Sequence, residues 1–422
     1  MPIVRNTHLC ALHILGLLWL TLIPLSVSAQ KERYPFVDYA ANRMHGDSNS
    51  KSFAHFAKRW SQLQAGKHVQ LNIVHIGSSH VQAGTLPHSI RMNLLRQPQI
   101  KTGRRGMIFP YSAAARCNNP ADYRVHCVEQ VDLCRNVYEA PQAVLGLCGI
   151  AVTAHDSLTT IWMVRNEYET DFPLDHIVLL GYSPDGVTPW LQLPDGSQIA
   201  CQRYDTPTRR YHYRLPQAAD SLAIVIPCDS AQQFTLTGVL LDSDRSGLSY
   251  HAIGVNGAAL KDYLKCPFFT RDLALLQPDM VIFGIGINDA AAPDFDSAVF
   301  HQQYRQLVDS VRSVNPNCAL IFITNNDSYK RVKKRRSVQY RVNENALAVR
   351  EVFFRLAAEC DGVVWDQLEV MGGLRSMKQW IAARLAQRDH VHFTVAGYRL
   401  IGDLFSQALT DALKEQMSDI KK

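Results

Sequence analysis

Val69-Gln70-Leu71-Asn72-Ile73-Val74-His75-Ile76 is short, β-branched and almost continuously apolar, and it passes directly into Gly77-Ser78-Ser79-His80. A run without polar alternation is buried on both faces, which is the habit of a strand in a parallel sheet. Beyond the turn, Val81, Ile90, Met92, Leu94 and Leu95 recur at helical spacing. Strand, tight turn and helix make the opening unit of an α/β sheet, with a polar helical stretch around Ser52 to Leu63 before it.

The same texture returns late in the chain. Asp279 to Gly284 and Ala319 to Thr324 read as buried strands, with a helical stretch from Ala298 to Val314 between them. Val363-Val364-Trp365 reads as another strand and Ala396 to Leu413 as a terminal amphipathic helix. Strand, helix, strand at this length is a βαβ crossover, right-handed by the usual rule. Between about Tyr111 and Ser246 the texture changes to alternating runs: Thr159 to Val164, His176 to Leu180, Leu222 to Ile226 and Phe234 to Leu241. Pro-Asp-Gly turns at 184–186 and 194–196 separate them, and this density of short strands predicts an inserted β-sandwich.

A length of 422 residues predicts two or three domains, and 47% hydrophobic with 19% charged residues excludes disorder, collagen and coiled coil as global descriptions. Residues 1–29 carry Arg5, an apolar run from about Leu9 to Leu25 and the small-residue site Val27-Ser28-Ala29, which reads as a cleaved export signal. An uncleaved anchor is the competing reading, because the run is near the lower length limit for a spanning helix. No cysteine follows for a lipid anchor, and no later run is long enough to span a membrane, so stable membrane insertion is not expected after cleavage. The expected localisation is periplasmic or secreted.

The formal charge of +6 is mildly basic. Its densest run is Lys330, Arg331, Lys333, Lys334, Arg335 and Arg336. Two readings stand, contact with an anionic polymer or a solvated loop or helix face, and the base rate for charge runs favours the second. No nucleic-acid fold signature accompanies it, so nucleic acid is not an expected partner.

Of the ten cysteines an odd number remains once Cys10 leaves with the signal, so at least one thiol is free or pairs between molecules. Cys117, Cys127, Cys134, Cys148, Cys201 and Cys228 are candidates for disulfides in an oxidising compartment, with connectivity open. Close Cys or His pairs at finger-like spacing are missing, so neither a metal nor another cofactor is expected.

Ser79 is the first candidate for chemistry, because a strand-to-helix turn exposes it beneath helix amides. A serine needs a base, and Asp389-His390-Val391-His392 supplies one: three residues apart, Asp389 can orient the His392 imidazole. Gly286-Ile287-Asn288-Asp289 follows a buried strand at the carboxyl end where such sheets collect ligands, and Gly254-Val255-Asn256-Gly257 precedes a helix predicted over Ala258 to Leu264. Each element alone is more often an N-cap, a turn or a polar surface loop.

Taken together and in this order, the Ser turn, Gly turn, Gly-x-Asn-Asp and Asp-x-x-His resemble the four sequence blocks of the SGNH (GDSL) hydrolase superfamily. The resemblance covers roughly residues 65–110 and 248–410. It implies a three-layer α/β/α parallel sheet, with Ser79 as nucleophile, His392 as general base and acid, and Asp389 as its orienting partner. The implied oxyanion hole is the Ser79 amide, the Gly257 amide and the Asn288 side chain. One position departs: the family usually has aspartate where this chain has Ser78, and serine can replace a capping hydrogen bond but not the charge.

The β-rich insertion, with Val370-Met371-Gly372-Gly373, Trp380 and His392-Phe393-Thr394-x-x-Gly397-Tyr398, resembles two-domain peptidoglycan O-acetylesterases, whose inserted domain is similar to a carbohydrate-binding module. The expected organisation is a signal at 1–29, hydrolase segments at 30–110 and 248–422, and the inserted domain at 111–247. The implied activity is removal of O-acetyl groups from a glycan, peptidoglycan first. An O-acetyltransferase, a xylan-type acetylesterase and a non-catalytic glycan-binding protein are the alternatives. Trp162, Tyr182, Trp190, Tyr204, Tyr211 and Tyr213 could stack on sugars, though sandwich core or ordinary surface is the commoner fate of such residues. Of His75, His80, His88 and His390, His80 reads as a residue supporting the site and the others as structural.

Overall fold

The computed structural model describes residues 34–420 apart from 48, 114–118, 121, 167–171, 173, 230 and 335–336. The signal read at 1–29, together with Cys117 and the basic pair Arg335 and Arg336, lies outside the described residues.

Gln70–Gly77 is buried along almost its whole length, as an all-apolar run requires, and it lies inside a six-stranded sheet. Across that sheet the order is Met44–Gly46, Gly362–Trp365, Ala319–Ile323, Met280–Gly284, Gln70–Gly77 and Gly247–Gly254. The last five run parallel, and Met44–Gly46 closes one edge antiparallel to Gly362–Trp365. That edge strand has three residues and no apolar pattern, so nothing in the sequence announces it. Two groups of helices cover the sheet. Val395–Ile420 packs with Thr85–Leu95 and Lys51–Gln64, while Ser297–Val314 packs with Asn345–Cys360. The result is the α/β/α layering expected.

The sequence predicts helical texture running unbroken from the serine turn, but the structure has two helices, Ser79–Gln82 and Thr85–Leu95. Gly84 at φ 79° turns the chain between them, a backbone conformation that helical continuation cannot use.

The alternating stretch forms two antiparallel sheets. One has five strands, with Thr159–Arg165 and Ser221–Ile226 paired along their length. In the other, Leu174–Tyr182 lies between Arg210–Ala219 and Phe234–Asp242, and Gly106–Ile108 joins by pairing with Phe234–Asp242. Buried side chains of both sheets and of the parallel sheet merge into one apolar cluster, which includes Ile161, Ile224, Ile177, Leu240, Ile76 and Phe283. Ionic ties join the two regions. Arg104 donates to Asp242 at 2.9 Å, Asn72 at 3.1 Å and the Leu276 carbonyl at 3.0 Å, and Asp122 accepts from Arg91 and Arg105. Burial would raise the Asp122 carboxyl, yet the two guanidiniums hold it far below the usual range.

Of the aromatics in this region, Tyr211 and Tyr213 are core, and Tyr204 is exposed and stacked on Tyr211 at 4.3 Å. Cys127, Cys134, Cys148, Cys201, Cys228, Cys266, Cys318 and Cys360 are all free thiols, so no disulfide forms among the described residues.

Three glycines share one register line at the carboxyl end of the parallel sheet: Gly254 lies beside Gly77, and Gly284 beside Gly77 on its other flank. A methyl group on Gly254 would sit 2.4 Å from the Gln82 amide nitrogen and 2.8 Å from the Ser78 carbonyl oxygen. Both atoms are backbone, so neither can swing aside. We therefore expect Gly254→Ala to cost about 1–3 kcal/mol by overpacking. Urea unfolding should show a lower midpoint at unchanged slope, and a parent-like midpoint would show that the turn can shift without cost.

Candidate active site

The Ser79 hydroxyl hydrogen-bonds with His392 Nε2 at 2.8 Å, across a sequence separation of 313 residues. His392 Nδ1 lies 2.7 Å from Asp389 Oδ2. Asp389 Oδ1 also accepts the amides of Val391 at 2.9 Å and His392 at 3.0 Å. Partial burial alone would raise the Asp389 carboxyl, but the His392 ring and these two amides bring it down to about 2. An ionised carboxylate can only accept, so Nδ1 carries the ring proton and Nε2 presents a lone pair. The Ser79 hydroxyl then donates to Nε2, which is the arrangement that makes a serine nucleophilic.

The loop carrying this pair is closed on itself. Gln387 N–H donates to the His392 carbonyl at 2.8 Å, Thr394 N–H to the Leu385 carbonyl at 2.9 Å, and Gln387 Nε2 to the Phe393 carbonyl at 3.1 Å. Asn326, just beyond the strand Ala319–Ile323, donates to the Val391 carbonyl at 3.1 Å. The loop is thereby tied to the sheet that carries Ser79.

His80 lies behind the pair, its ring centroid 5.2 Å from that of His392 and its Nδ1 2.8 Å from the Tyr398 hydroxyl. Burial, and then the neighbouring His392, push its pKa down to about 3, so it stays neutral at ordinary pH and adds no second cation. A small cavity of about 30 Å³ lies against it, lined by His75, Asn325, Gln367 and Phe393 among others. His75 is held by the Tyr250 hydroxyl at 2.9 Å.

The two glycine loops enter at the register line described above. Gly257, at φ 82°, turns the chain before the helix Leu260–Leu264, and the amides of Ser79 and Gly257 have no hydrogen-bond partner among the described residues. Asn288 is the second residue of the short helix Ile287–Ala291 and gives one amide proton to the Ala258 carbonyl at 2.9 Å. A primary amide has two protons, so one remains to donate.

Two neighbours have contacts that the sequence does not assign. Gln82 Oε1 accepts the Asn256 amide at 2.7 Å, and Asp289 accepts the Leu260 amide at 3.0 Å through one oxygen and 3.2 Å through the other. Burial raises the Asp289 carboxyl to about 6. Its place beside Asn288 was the available signal; for Gln82 there was none. Among the described residues no group of His, Cys, Asp and Glu is placed to hold a metal.

Ser78 corrects an expectation. It occupies the N-cap position, but its hydroxyl is buried without a hydrogen-bond partner and caps nothing. The backbone at φ −113°, ψ −133° departs from the extended geometry that aims a cap side chain at the helix amides.

Residues 235–400 match the model of the GDSL-like Lipase/Acylhydrolase family, a match that begins after the Ser79 turn. A solved peptidoglycan O-acetylesterase superposes with TM-score 0.70 at 20% identity, covering 87% of this chain and 98% of that one, so the two share a fold over most of this chain. A lipase/acylhydrolase from Enterococcus faecalis matches at TM-score 0.30 and 21% identity over 39% of this chain and 77% of that one. For an acetylxylan esterase from Geobacillus stearothermophilus the values are 0.30, 21%, 39% and 73%. Among curated proteins no match is found.

Two measurements follow from this geometry. Because the folded pKa of Asp389 is depressed, to about 2, the carboxylate contributes stability fully above about pH 4 and loses it as pH falls toward 2. The stability difference between the parent and Asp389→Asn should be constant above that range and vanish near its lower end; a difference independent of pH would show that the carboxylate is not held by His392. Removing the unpartnered Ser78 hydroxyl should be nearly free, so Ser78→Ala is expected within about 0.5 kcal/mol of the parent in urea unfolding, or above it. A loss beyond about 1.5 kcal/mol would reveal a capping bond.

Proposed function

We propose that this chain, whose residues 235–400 carry the GDSL-like domain, is an exported serine esterase that removes O-acetyl groups from a carbohydrate polymer, peptidoglycan. The observation that supports it most directly is the unbroken chain from Ser79 Oγ through His392 to an ionised Asp389. Export is read from residues 1–29, with the mature chain starting at Gln30. In this reading the β-rich stretch 111–247 is an inserted carbohydrate-binding-like domain between two hydrolase segments. The likeness in fold to a peptidoglycan O-acetylesterase over 87% of the chain favours this polymer.

The reaction follows from the geometry. Ser79 Oγ attacks the acetyl carbonyl carbon as its proton passes to His392 Nε2, and the Asp389 carboxylate stabilises the imidazolium that forms. Negative charge gathers on the former carbonyl oxygen, where the Ser79 and Gly257 amides and the free Asn288 amide proton are the donors. The tetrahedral adduct collapses, the sugar oxygen leaves with the proton from Nε2, and an acetyl-serine remains. Water, deprotonated by His392, attacks this ester; acetate leaves and Ser79 regains its proton. His80, held neutral by burial, adds no second cation beside that imidazolium.

The decisive assay is acetate release from O-acetylated peptidoglycan by the mature chain, run beside acetylated xylan. Ser79→Ala should abolish release, and Asn288→Ala should lower turnover about a hundredfold or more. Acetate appearing on another sugar rather than in solution would reassign the chain as a transferase. Saturable glycan binding with no release by the folded parent would reassign it as a binding protein.

A further inference from the structure

The described part of the cation run, Lys330 to Lys334, lies in a strand rather than in a loop or on a helix face. It belongs to a two-stranded hairpin, Tyr329–Lys334 paired with Ser337–Val342, that follows the strand Ala319–Ile323 at the carboxyl edge of the parallel sheet, where the Ser79 turn also lies. Residues 329–342 contain seven Lys and Arg and no acid. Several cations that pack against the body of the protein are matched by carboxylates: Arg59 by Asp279, Arg104 by Asp242, and Arg350 by Asp366. Lys330, Arg331 and Arg341 have no ion pair among the described residues.

The hairpin is seated on the catalytic loop. Tyr329 N–H donates to the His390 carbonyl at 3.1 Å, and His390 is the residue after Asp389. The Tyr340 ring stacks on the His390 ring at 4.3 Å and 30°, and the Tyr329 ring is 5.1 Å from it. Strand alternation puts Arg331, directly opposite Tyr340, on the same face as Tyr329 and Tyr340, the face turned to His390. Arg331 is exposed there, and Val338 and Tyr340 keep 41% and 39% of their surface open.

On the other face Lys330 lies directly opposite Arg341. Like charges in direct cross-strand register are destabilising, and a two-stranded hairpin is marginal to begin with. A bound anion would relieve that repulsion. The chemistry on the face beside His390 is also specific: an exposed tyrosine ring suits the apolar face of a sugar, and a guanidinium suits a carboxylate.

We propose that this hairpin is a docking arm for an anionic glycan, a strand of sugars bearing carboxylates that lies along Arg331 and Tyr340 and so brings its ester to Ser79. Docking needs only the charge and the ring, and it rests on the esterase reading solely for what then happens to the strand. It narrows the substrate to acidic glycans over neutral ones such as xylan.

Co-sedimentation of the full chain carrying Ser79→Ala with insoluble peptidoglycan tests docking without turnover. Amidation of the polymer's carboxylates, or Arg331→Gln with Arg341→Gln on the native polymer, should each weaken binding about tenfold at low salt, and the gap should close as salt screens the field. Arg331→Lys with Arg341→Lys keeps the charges and should retain most of the binding, and thermal unfolding must show that both pairs of variants are folded. With Ser79 restored, the glutamine pair should raise KM for the O-acetylated polymer about tenfold, with kcat nearly maintained. Binding indifferent to amidation and to the glutamine pair overturns the proposal. Charge-dependent binding to anionic lipid vesicles with none to the glycan also overturns it, in favour of a membrane surface. Charge-dependent sedimentation without acetate release by the parent would instead leave docking in place and remove the esterase.

Discussion

Gly254 has no room for a side chain, because the Gln82 amide and the Ser78 carbonyl crowd the space a methyl group would take. That close approach locks the end of one strand onto the turn that follows its neighbour. With Gly77 and Gly284 in the same register line, three loops leave the sheet together: the Ser79 turn, the Gly257 loop and the Asn288 helix. Parallel strands make this possible, since each ends at the same edge and delivers its following loop there. The Asn288 bond to Ala258 and the Gln82 bond to Asn256 then fasten loop to loop. A shift in any of these strands would move a donor away from the serine.

Charge at the site is organised around a single ion. Asp389 remains ionised because three donors surround it, and that fixes which nitrogen of His392 faces Ser79. Its side chain and that of His392 are still 45% and 34% exposed, so the pair lies at the mouth of the site, open to solvent. Beneath lies a drier layer. His80 and His75 are both buried and pushed down to about 3, each with a tyrosine hydroxyl at hydrogen-bond distance. A cation there would oppose the imidazolium; neutral rings do not. The cationic hairpin is a separate stretch of chain that meets this loop at His390.

Much of this was readable from local pattern. A continuous apolar run ending in Gly-Ser-Ser-His reports a buried strand and its turn, because burial on both faces leaves no room for polar alternation. Asp389 and His392 could be paired on paper because three residues of chain are enough to bring them together. What escaped were features without local pattern. The edge strand Met44–Gly46 is three residues stabilised by its partner, and Gln82 matters through a single contact with distant chain. The basic run read as a solvated face since charge alone does not distinguish a loop from a strand; its aromatic contacts with His390 make the difference. Ser78 seemed able to cap, and the backbone angles at that residue prevent it.

The amino-acid sequence by itself determined the α/β class and the order of the elements, because these rest on hydrophobic period and turn chemistry, while the serine, histidine and aspartate were picked out by their resemblance to the SGNH (GDSL) sequence blocks. Tertiary structure alone decided that Ser79 and His392 meet at 2.8 Å across 313 residues, which amides are left free, and that Tyr340 of the cationic hairpin stacks on His390, next to Asp389. The reason is physical: strand register and close backbone approach are set by partners far away in the chain, and no window of sequence contains both sides of such a contact.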